Sequence, residues 1–412
     1  MRRGVRVFAL GCAAVALASC ELVFGPDRDA APLERLPRDL SAAEQAVIAG
    51  SNTFAFDILR ATAERDTSQN VMLSPLSASM ALGMTLNGAR GQTFDEMRDV
   101  LGFAGLEQDA INASYESLID LLLGLDDAID MRIGNSVWAR SGVPFHSTFM
   151  DAVRQAFAAE VASLDFSAPD ASATINDWVD RSTNGRIRRI VPDAIPDDVV
   201  MYLINAIYFK GSWTEQFDPA RTRDAPFQRA DGSTTTVRMM SREKRGMHYY
   251  ADADVEVAEL RYGRGAWVMD IVLPRQGTID EVIASLDEAR WNTWLGGLHE
   301  SNVQLGLPKF RLEYETRMND ALVALGMVAA FTDHVADFTG LSPIGDQLVI
   351  TEVRQKTFMN VDEEGTEAAA ATSVGIGVTS APPRMVVDRP FLVAIRERFS
   401  GSILFIGKVG SP

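Results

Sequence analysis

The sequence predicts an α+β protein with large antiparallel sheets, and two observations lead to this fold class. Helical patterns come first along the chain, whereas strand patterns are scattered through its middle. Between Ser41 and Pro412 the sequence contains no domain linker and no internal repeat. We therefore expect a single domain at 41–412, with two short segments before it.

Residues 1–19 have the pattern of an export signal. Arg2, Arg3 and Arg6 form a basic region at the start of the chain. The apolar run that follows, Val7–Leu17, is too short to cross a bilayer as a mature helix. The sequence therefore predicts that this segment directs export.

The end of this segment, Leu17-Ala18-Ser19-Cys20, resembles the lipobox of bacterial lipoproteins, in which the cysteine carries the lipid. We therefore expect Cys20 to be lipidated and to hold the protein on the membrane. The resulting location would be the bacterial envelope, either the outer membrane or the cell surface. Ordinary cleavage near Ala18, which would give a periplasmic or secreted protein, is the alternative.

Composition indicates a tether before the domain, excludes a disulfide within the domain and limits the partners of the chain. Residues 20–40 mix prolines and charges and are predicted to be a tether. Cys12 and Cys20 are the two cysteines of the chain, so the domain itself can form no disulfide. The formal net charge of −17 disfavours nucleic acid as a partner, because a phosphate backbone is also negative.

The first two helices have clear start signals. Ser41 and Glu44 have the spacing of a capping box, and a helix through Phe54 and Ile58 is expected to follow. The second helix is predicted to start at Ser74-Pro75, where Ser74 would be its N-cap. This helix is apolar nearly all round, so we expect it to be buried.

The middle of the chain is predicted to contain mainly strands. Strands are predicted at Ile133–Ala139, Met201–Trp213, Val237–Met240, Trp267–Pro274 and Val303–Leu307. A helix is predicted at Tyr314–Leu325, and Ala171–Arg189 is predicted to be a helix that ends in a turn at 183–187.

The segment 361–391 has an unusual pattern. It opens with acidic residues, continues through Gly365, which tolerates most backbone angles, and is uncharged from Ala368 to Pro383. In an extended strand one face would carry Thr366, Ala368, Ala370, Thr372, Val374, Ile376 and Val378. That face is small near the glycine and β-branched further on, which suits a strand that enters a sheet from the glycine end. A flexible surface linker is the alternative on composition alone.

This segment and the chain that follows it resemble one known family. Glu363–Thr372 is similar to the hinge of the reactive loop in serpins, the serine protease inhibitors. Asp388–Leu392 and Gly401–Val409 are similar to the segments that follow the loop in that family. The family resemblance implies the serpin fold, with a large central, mostly antiparallel sheet, further sheets and about nine helices. It also implies an exposed reactive loop at about 363–388, near the C-terminus.

The resemblance implies a function as an inhibitor. A serine protease would cut the loop and remain attached to it as an acyl-enzyme, while the freed loop inserts into the main sheet. The resemblance also implies a monomer that needs no cofactor and no metal. Heparin is not expected to bind, because residues 107–130, which match the basic helix of heparin-activated serpins, are acidic.

The family register, counted from Gly365, places the cut bond between Thr379 and Ser380. Val378 and Ile376 would then contact neighbouring subsites of the protease. These small and β-branched side chains favour an elastase-like or subtilisin-like protease over a trypsin-like one. The hinge residues that the resemblance assigns are Glu363, Gly365, Thr366, Glu367, Ala368, Ala369, Ala370, Ala371 and Thr372.

Five more positions match residues that control loop insertion in the family. The resemblance assigns Ser74, Ser77 and Asn205 to the shutter, the place where the main sheet parts. It assigns Trp213 to the top of the sheet, where insertion begins. Gln355 stands where the family usually has a histidine. A glutamine also donates and accepts hydrogen bonds but cannot titrate, so we expect a shutter with little pH sensitivity.

Two other functions are alternatives to inhibition. Ser241 and Lys244 have the Ser-x-x-Lys spacing of penicillin-recognising hydrolases, but the partner motifs of that class do not occur in the sequence. The four histidines are far apart and lack metal-ligand spacing, so no metal site is expected. A non-inhibitory serpin that acts as a binding or chaperone-like protein is the second alternative. Such serpins usually carry bulky or charged hinge residues, and Thr366–Thr372 has a single charge.

Overall fold

A computed structural model describes residues 31–366 and 383–412 of the chain. Within these ranges the α-helices are α1 Ala42–Ala63, α2 Pro75–Leu86, α3 Gly91–Val100, α4 Gln108–Gly124, α5 Ser147–Phe157, α6 Ala171–Ser182, α7 Ile279–Ala284, α8 Glu288–Gly297 and α9 Asn319–Ala324. The strands are β1 Asn70–Leu73, β2 Ile129–Arg140, β3 Glu160–Leu164, β4 Met201–Ser212, β5 Arg223–Gln228, β6 Thr234–Ala251, β7 Val255–Tyr262, β8 Trp267–Pro274, β9 His299–Pro308, β10 Phe310–Arg317, β11 Arg354–Val361, β12 Gly365–Thr366, β13 Arg384–Val386, β14 Phe391–Glu397 and β15 Ile403–Val409.

The strands of the described ranges form three sheets. A nine-stranded sheet has the order β1-β15-β14-β8-β7-β6-β9-β13, with β5 paired to β6. A four-stranded sheet has the order β12-β4-β2-β3, and β10 and β11 form a two-stranded sheet. The pairing is antiparallel except for β13 with β9 and β2 with β3. The fold class predicted from the sequence, α+β with large antiparallel sheets, is confirmed.

The start of α1 has the predicted capping box. Ser41 Oγ accepts a hydrogen bond from the Glu44 backbone N–H at 3.2 Å, and the Glu44 carboxylate accepts one from the Ser41 N–H at 2.7 Å. Arg38 adds a salt bridge to Glu44 at 2.6 Å. These bonds satisfy N–H groups that have no partner inside the helix, and they tie residues before the domain to α1.

Helix α2 is buried along nearly its whole length, as its apolar composition predicts. It packs between α1 and the strands β4 and β15. The main core surrounds it, and a second apolar cluster lies under α6, around Trp138, Ile175 and Trp178. This second core joins α6 to the four-stranded sheet. In the described ranges, no helix has both the length and the apolar character needed to cross a bilayer.

One predicted helix differs from the structure. Tyr314 lies in strand β10, not in a helix, because Phe310, Leu312 and Tyr314 alternate as buried residues with exposed neighbours and pair with β11. The helix of that region is the shorter α9. The turn predicted at the end of the Ala171–Arg189 segment is present: α6 ends at Ser182, and Asn184 and Gly185 turn the chain with positive φ angles of 52° and 78°.

A space, here called the slot, separates β4 from β11. In the described part of the chain, these two strands belong to different sheets and share no hydrogen-bonded register. A cavity of about 320 Å³ lies between them, lined by residues 198–206 on the β4 side and 347–356 on the β11 side. Side chains of α2, among them Ser77 and Ala81, form its floor.

Candidate functional site

The segment that the resemblance assigns to the hinge begins at the upper end of the slot. After β11 the chain turns at residues 362–364 and returns as β12, which pairs antiparallel with β4. Gly365 pairs with Ser212, and Thr366 pairs with Gly211. The first two residues of the segment that follows the turn are therefore already part of a sheet.

Gly365 is required by a close approach between two backbones. Its φ angle is +152°, and a Cβ atom placed on it would lie 2.1 Å from the Gly211 carbonyl oxygen. The same atom would lie 2.7 Å from Ser212 Cα. Any side chain at this position would push β12 away from β4, so the structure gives a steric reason for the predicted glycine pivot.

Thr366 points into a closed aromatic site. Only 4% of its surface is exposed, and its Oγ1 lies 2.8 Å from the Tyr262 hydroxyl. Tyr262 stacks on Trp213 with 4.3 Å between ring centroids. Burial raises the pKa of Tyr262, so its hydroxyl stays protonated and available to Thr366. The sequence did not indicate Tyr262, which lies more than one hundred residues from Thr366.

Trp213, which the resemblance places at the top of the sheet, contacts the hinge turn. Its indole Nε1 donates to the Asp362 carbonyl at 3.0 Å. Its backbone N–H donates to the Glu364 carbonyl at 2.8 Å. Trp213 thus holds the turn through two hydrogen bonds and supports Tyr262 through its ring.

Glu363 anchors the same turn through its side chain. Lys309 Nζ donates to one carboxylate oxygen at 2.5 Å, and Thr222 Oγ1 donates to the other at 2.7 Å. Burial opposes ionisation of this carboxyl, but the bonds from Lys309 and Thr222 outweigh it and lower the pKa of Glu363. Glu363 is therefore charged at neutral pH. Neither Lys309 nor Thr222 could be found by local sequence pattern.

The structure brings together, under the slot, the residues that the resemblance assigns to the shutter. Ser77 Oγ donates to the Asn205 carbonyl at 3.3 Å, and Asn205 Nδ2 donates to Asn135 Oδ1 at 2.7 Å. Gln355 bonds to the backbone of Ser74. These side chains link α2 to β2, β4 and β11.

The predicted N-cap role of Ser74 is only partly correct. Ser74 occupies the N-cap position of α2, but its side chain makes no capping hydrogen bond. Its Oγ donates instead to the Leu404 carbonyl on β15 at 2.8 Å. Leu404 is 330 residues away along the chain, so the serine ties the helix start to the nine-stranded sheet.

Several predicted site residues lie outside the described ranges. They are Cys20, Glu367, Ala368, Ala369, Ala370, Ala371, Thr372, Ile376, Val378, Thr379 and Ser380. The described ranges contain no group of three or more histidine, cysteine or acidic side chains that could hold a metal ion.

Comparison with known proteins assigns the family. The sequence model of the serpin (serine protease inhibitor) family matches residues 49–412. A serpin-like protein of Thermococcus kodakarensis is 33% identical over 380 residues, which cover 90% of this chain and 86% of that protein. The leukocyte elastase inhibitor of Bos taurus is 34% identical over 378 residues, covering 88% of this chain and 99% of that protein.

The fold is also that of a solved serpin. The crystal structure of tengpin, a thermophilic serpin, in its native state matches with a TM-score of 0.81 and 29% identity. The match covers 93% of this chain and 97% of tengpin. The chain therefore belongs to the serpin family, many of whose members are protease inhibitors and not enzymes.

Proposed function

We propose that this chain inhibits a serine protease by offering a loop at about 363–388 that is cut and then inserted into the slot. The observation that carries this proposal is the pairing of Gly365 and Thr366 with the end of β4. Further residues of the same strand would continue along β4 from Lys210 towards Met201. In the described ranges, that edge of β4 has no other partner.

The hinge composition fits this insertion. Because Thr366 faces inward, strand alternation would place Ala368, Ala370 and Thr372 on the same buried face. Small side chains on that face can enter the slot with little steric clash against its walls. Each new backbone hydrogen bond contributes about 1 kcal/mol, and each buried Val or Ile contributes about 1.5–3 kcal/mol. Insertion would therefore release on the order of 10 kcal/mol.

The chemistry uses the protease's own reaction. The protease serine Oγ attacks the carbonyl carbon of Thr379, the bond to Ser380 breaks, and the Ser380 nitrogen leaves with a proton as a free amine. An ester then joins Thr379 to the protease. Water would hydrolyse this ester in an ordinary substrate. Insertion would carry Thr379 along the slot with the protease attached. The protease is trapped when insertion is faster than hydrolysis of the ester.

The residues around the bond favour a particular class of protease. Ile376, Val378 and Thr379 are uncharged and small or β-branched. They fit an elastase-like or subtilisin-like pocket, whereas a trypsin-like pocket requires Arg or Lys. The naming of one relative as a leukocyte elastase inhibitor is consistent with this proposal. We also propose that the protein is held on the bacterial envelope through a lipid on Cys20.

The test is incubation of the full-length protein with elastase, subtilisin and trypsin, followed by denaturing gel electrophoresis. We expect an SDS-stable complex with elastase or subtilisin, and a released C-terminal peptide whose mass begins at Ser380. As a matched change, Thr379→Arg should move complex formation towards trypsin. A peptide that begins after Arg384 would contradict the proposed bond. Cleavage by all three proteases without any complex would favour the non-inhibitory alternative.

A further inference from the structure

The last residues of the predicted tether are attached to the domain. Residues 31–40, here called the strap, run from the turn between β7 and β8 to the start of α1. Three half-buried leucines of the strap pack against the main core, Leu33, Leu36 and Leu40. Arg38 Nη2 donates to Ser117 Oγ of α4 at 2.7 Å, in addition to its salt bridge with Glu44. The strap is therefore held to the domain at several points.

The strap begins beside the β7–β8 turn. The Leu33 N–H donates to the Arg264 carbonyl at 2.8 Å, and Arg264 Nε donates to the Ala31 carbonyl at 3.2 Å. Arg398, which follows β14, donates from Nη2 to the Leu33 carbonyl at 2.8 Å. Both backbone groups of Leu33 are thus hydrogen-bonded, and these bonds fix the place where the chain reaches the domain.

The β7–β8 turn lies at the upper end of the slot. The Gly263 N–H donates to the Ser212 carbonyl at 2.8 Å, and Ser212 pairs with Gly365. The path of covalent and hydrogen bonds from Leu33 through Arg264 to Ser212 limits their separation to roughly 14 Å. The N-terminal chain therefore reaches the domain at the same end from which the proposed reactive loop leaves.

The length of chain between Cys20 and the strap limits how far this end can lie from a membrane. Cys20 and Ala31 are 11 residues apart in the sequence. A fully extended chain covers at most about 3.5 Å per residue, which gives a limit of roughly 38 Å. Strand β4 extends from the upper end for about 36 Å, at about 3.3 Å per residue. A lipid on Cys20 would therefore keep the upper end of the slot near the bilayer and leave the lower end free to point away.

We propose that the strap turns the loop-bearing end of the protein towards the membrane that carries the Cys20 lipid, and so presents the loop to a serine protease attached to the same membrane. This inference rests on the lipid anchor and the inhibition of the proposed function. A short tether raises the effective concentration of the loop for a protease on the same surface. A soluble protease domain of about 250 residues is about 45 Å across, so it has little room between the bilayer and the loop.

Loop insertion would then move the protease away from the membrane. In the register set by Thr366 and Gly211, Thr379 would come to lie opposite Asp198, at the lower end of the slot. The displacement is about 43 Å, because a strand rises about 3.3 Å per residue between Thr366 and Thr379. The trapped protease would therefore leave the space between the bilayer and the upper end.

Resonance energy transfer to the membrane measures the orientation. Cys12 lies in the predicted export signal and Cys20 would be acylated, so an introduced cysteine can be labelled selectively. Thr214→Cys places a donor label on an exposed residue beside the upper end of the slot, and Asp197→Cys places one on an exposed residue at its lower end. The lipidated protein is bound to phosphatidylcholine vesicles that carry acceptor-labelled lipid. We expect the upper donor to lose much more of its fluorescence to the acceptor than the lower donor.

Two controls separate orientation from simple binding to the vesicles. Cys20→Ser in either labelled protein should abolish the transfer. An insertion of about 30 Gly and Ser residues between Asp29 and Ala30 leaves the strap in place and lets the upper end move about 100 Å further away, so the difference between the labels should disappear. Equal transfer from both labels at the native length, or greater transfer from the lower label, would overturn the orientation. A wild-type protein without lipid would overturn it as well.

The partner is tested with the protease that the wild type traps, used either free or attached by a histidine tag to nickel-chelating lipid in the same vesicles. The measurement is the rate of SDS-stable complex formation with the attached protease, divided by the rate with the free protease. The insertion should lower this ratio roughly sevenfold, because effective concentration falls about as the −3/2 power of tether length. A ratio that the insertion leaves unchanged would contradict presentation to a membrane-attached protease.

The failure of this inference can be told apart from the failure of inhibition. If Cys20→Ser forms no complex with elastase or subtilisin in solution, the proposed inhibition is wrong, and the assigned partner is wrong with it. The energy transfer needs no protease and still decides the orientation.

Discussion

At the scale of one residue, the site around Thr366 gives a physical reason for the small side chains in the predicted hinge. The threonine is enclosed by Tyr262, and Tyr262 is itself fixed by its stack on Trp213. A longer or charged side chain would have to be buried there beside the Tyr262 hydroxyl. Under the proposed function, the first inward-facing position of the inserting strand would therefore control whether insertion starts.

We predict that Thr366→Arg turns the inhibitor into a substrate. An arginine at this position would be buried without a partner, at a cost of several kcal/mol, about 2–5. Insertion would slow, while attack on the Thr379–Ser380 bond would continue. A gel assay with one protease should show more cleaved chain and at least about tenfold less SDS-stable complex.

Glu367→Arg is the control for this substitution. By strand alternation it faces away from the buried side, so it should reduce complex formation much less. Equal effects of the two arginines would show that the assignment of inward and outward faces is wrong.

At the scale of elements, the turn between β11 and β12 is held from three sides. Glu363 reaches Lys309, between β9 and β10, and Thr222, just before β5. Trp213, at the end of β4, holds the turn backbone. The turn therefore connects the two-stranded sheet, the four-stranded sheet and the nine-stranded sheet at the point where the proposed insertion would begin.

We predict that Glu363→Gln lowers stability by about 1–2 kcal/mol at neutral pH, because it removes a charge-assisted hydrogen bond. The folded pKa of Glu363 is lowered, so its contribution is fully present above the ordinary value of 4.5 and is lost as pH falls through the folded pKa. The difference in unfolding midpoint between wild type and variant should therefore shrink below about pH 4.5.

Glu313→Gln is a suitable comparison, because Glu313 is 56% exposed and pairs with Arg311 on the surface. It should change the midpoint little at any pH. A difference for Glu363→Gln that stays constant down to about pH 3 would contradict the role of its charge.

At the scale of the whole molecule, the two walls of the slot share the main core but differ in their other packing. The β2–β3–β4 sheet packs against α6 through a second apolar cluster, while Val137, Ile207 and Phe209 of the same sheet belong to the main core with β10 and β11. A strand that enters the slot could leave the cluster under α6 intact, but it would have to shift β4 against the main core. The cost of opening therefore includes the contacts between α2 and β4, among them that of Ser77 with Asn205.

We predict that Cys20→Ser releases the protein from the membrane fraction, because Leu17-Ala18-Ser19-Cys20 resembles a lipobox. Cell fractionation followed by immunoblotting measures this directly. The unchanged inhibition of elastase or subtilisin by the released variant serves as a control for folding. A wild-type protein that is already in the soluble fraction would favour ordinary cleavage near Ala18.

The sequence by itself determined those features that depend on neighbours along the chain. The capping box of Ser41 and Glu44 and the burial of α2 follow from local spacing. The position of Gly365 at the start of a strand also follows from the order of residue types around it. The helix predicted at Tyr314 was wrong because Tyr314, Met318 and Leu322 share helical spacing, while pairing with β11 selects a strand as far as Arg317.

The tertiary structure alone decided which distant groups meet. Tyr262 and Lys309 become partners of the hinge, and Ser74 offers its backbone to Gln355, only because the sheets bring them together. The physical reason is that a buried polar group is stable only when it is hydrogen-bonded, and its partner can come from any part of the chain that the fold brings close. The spacing of residues along the chain does not identify that partner. The sequence could therefore indicate Thr366 and Gln355 as special positions, but not what holds them.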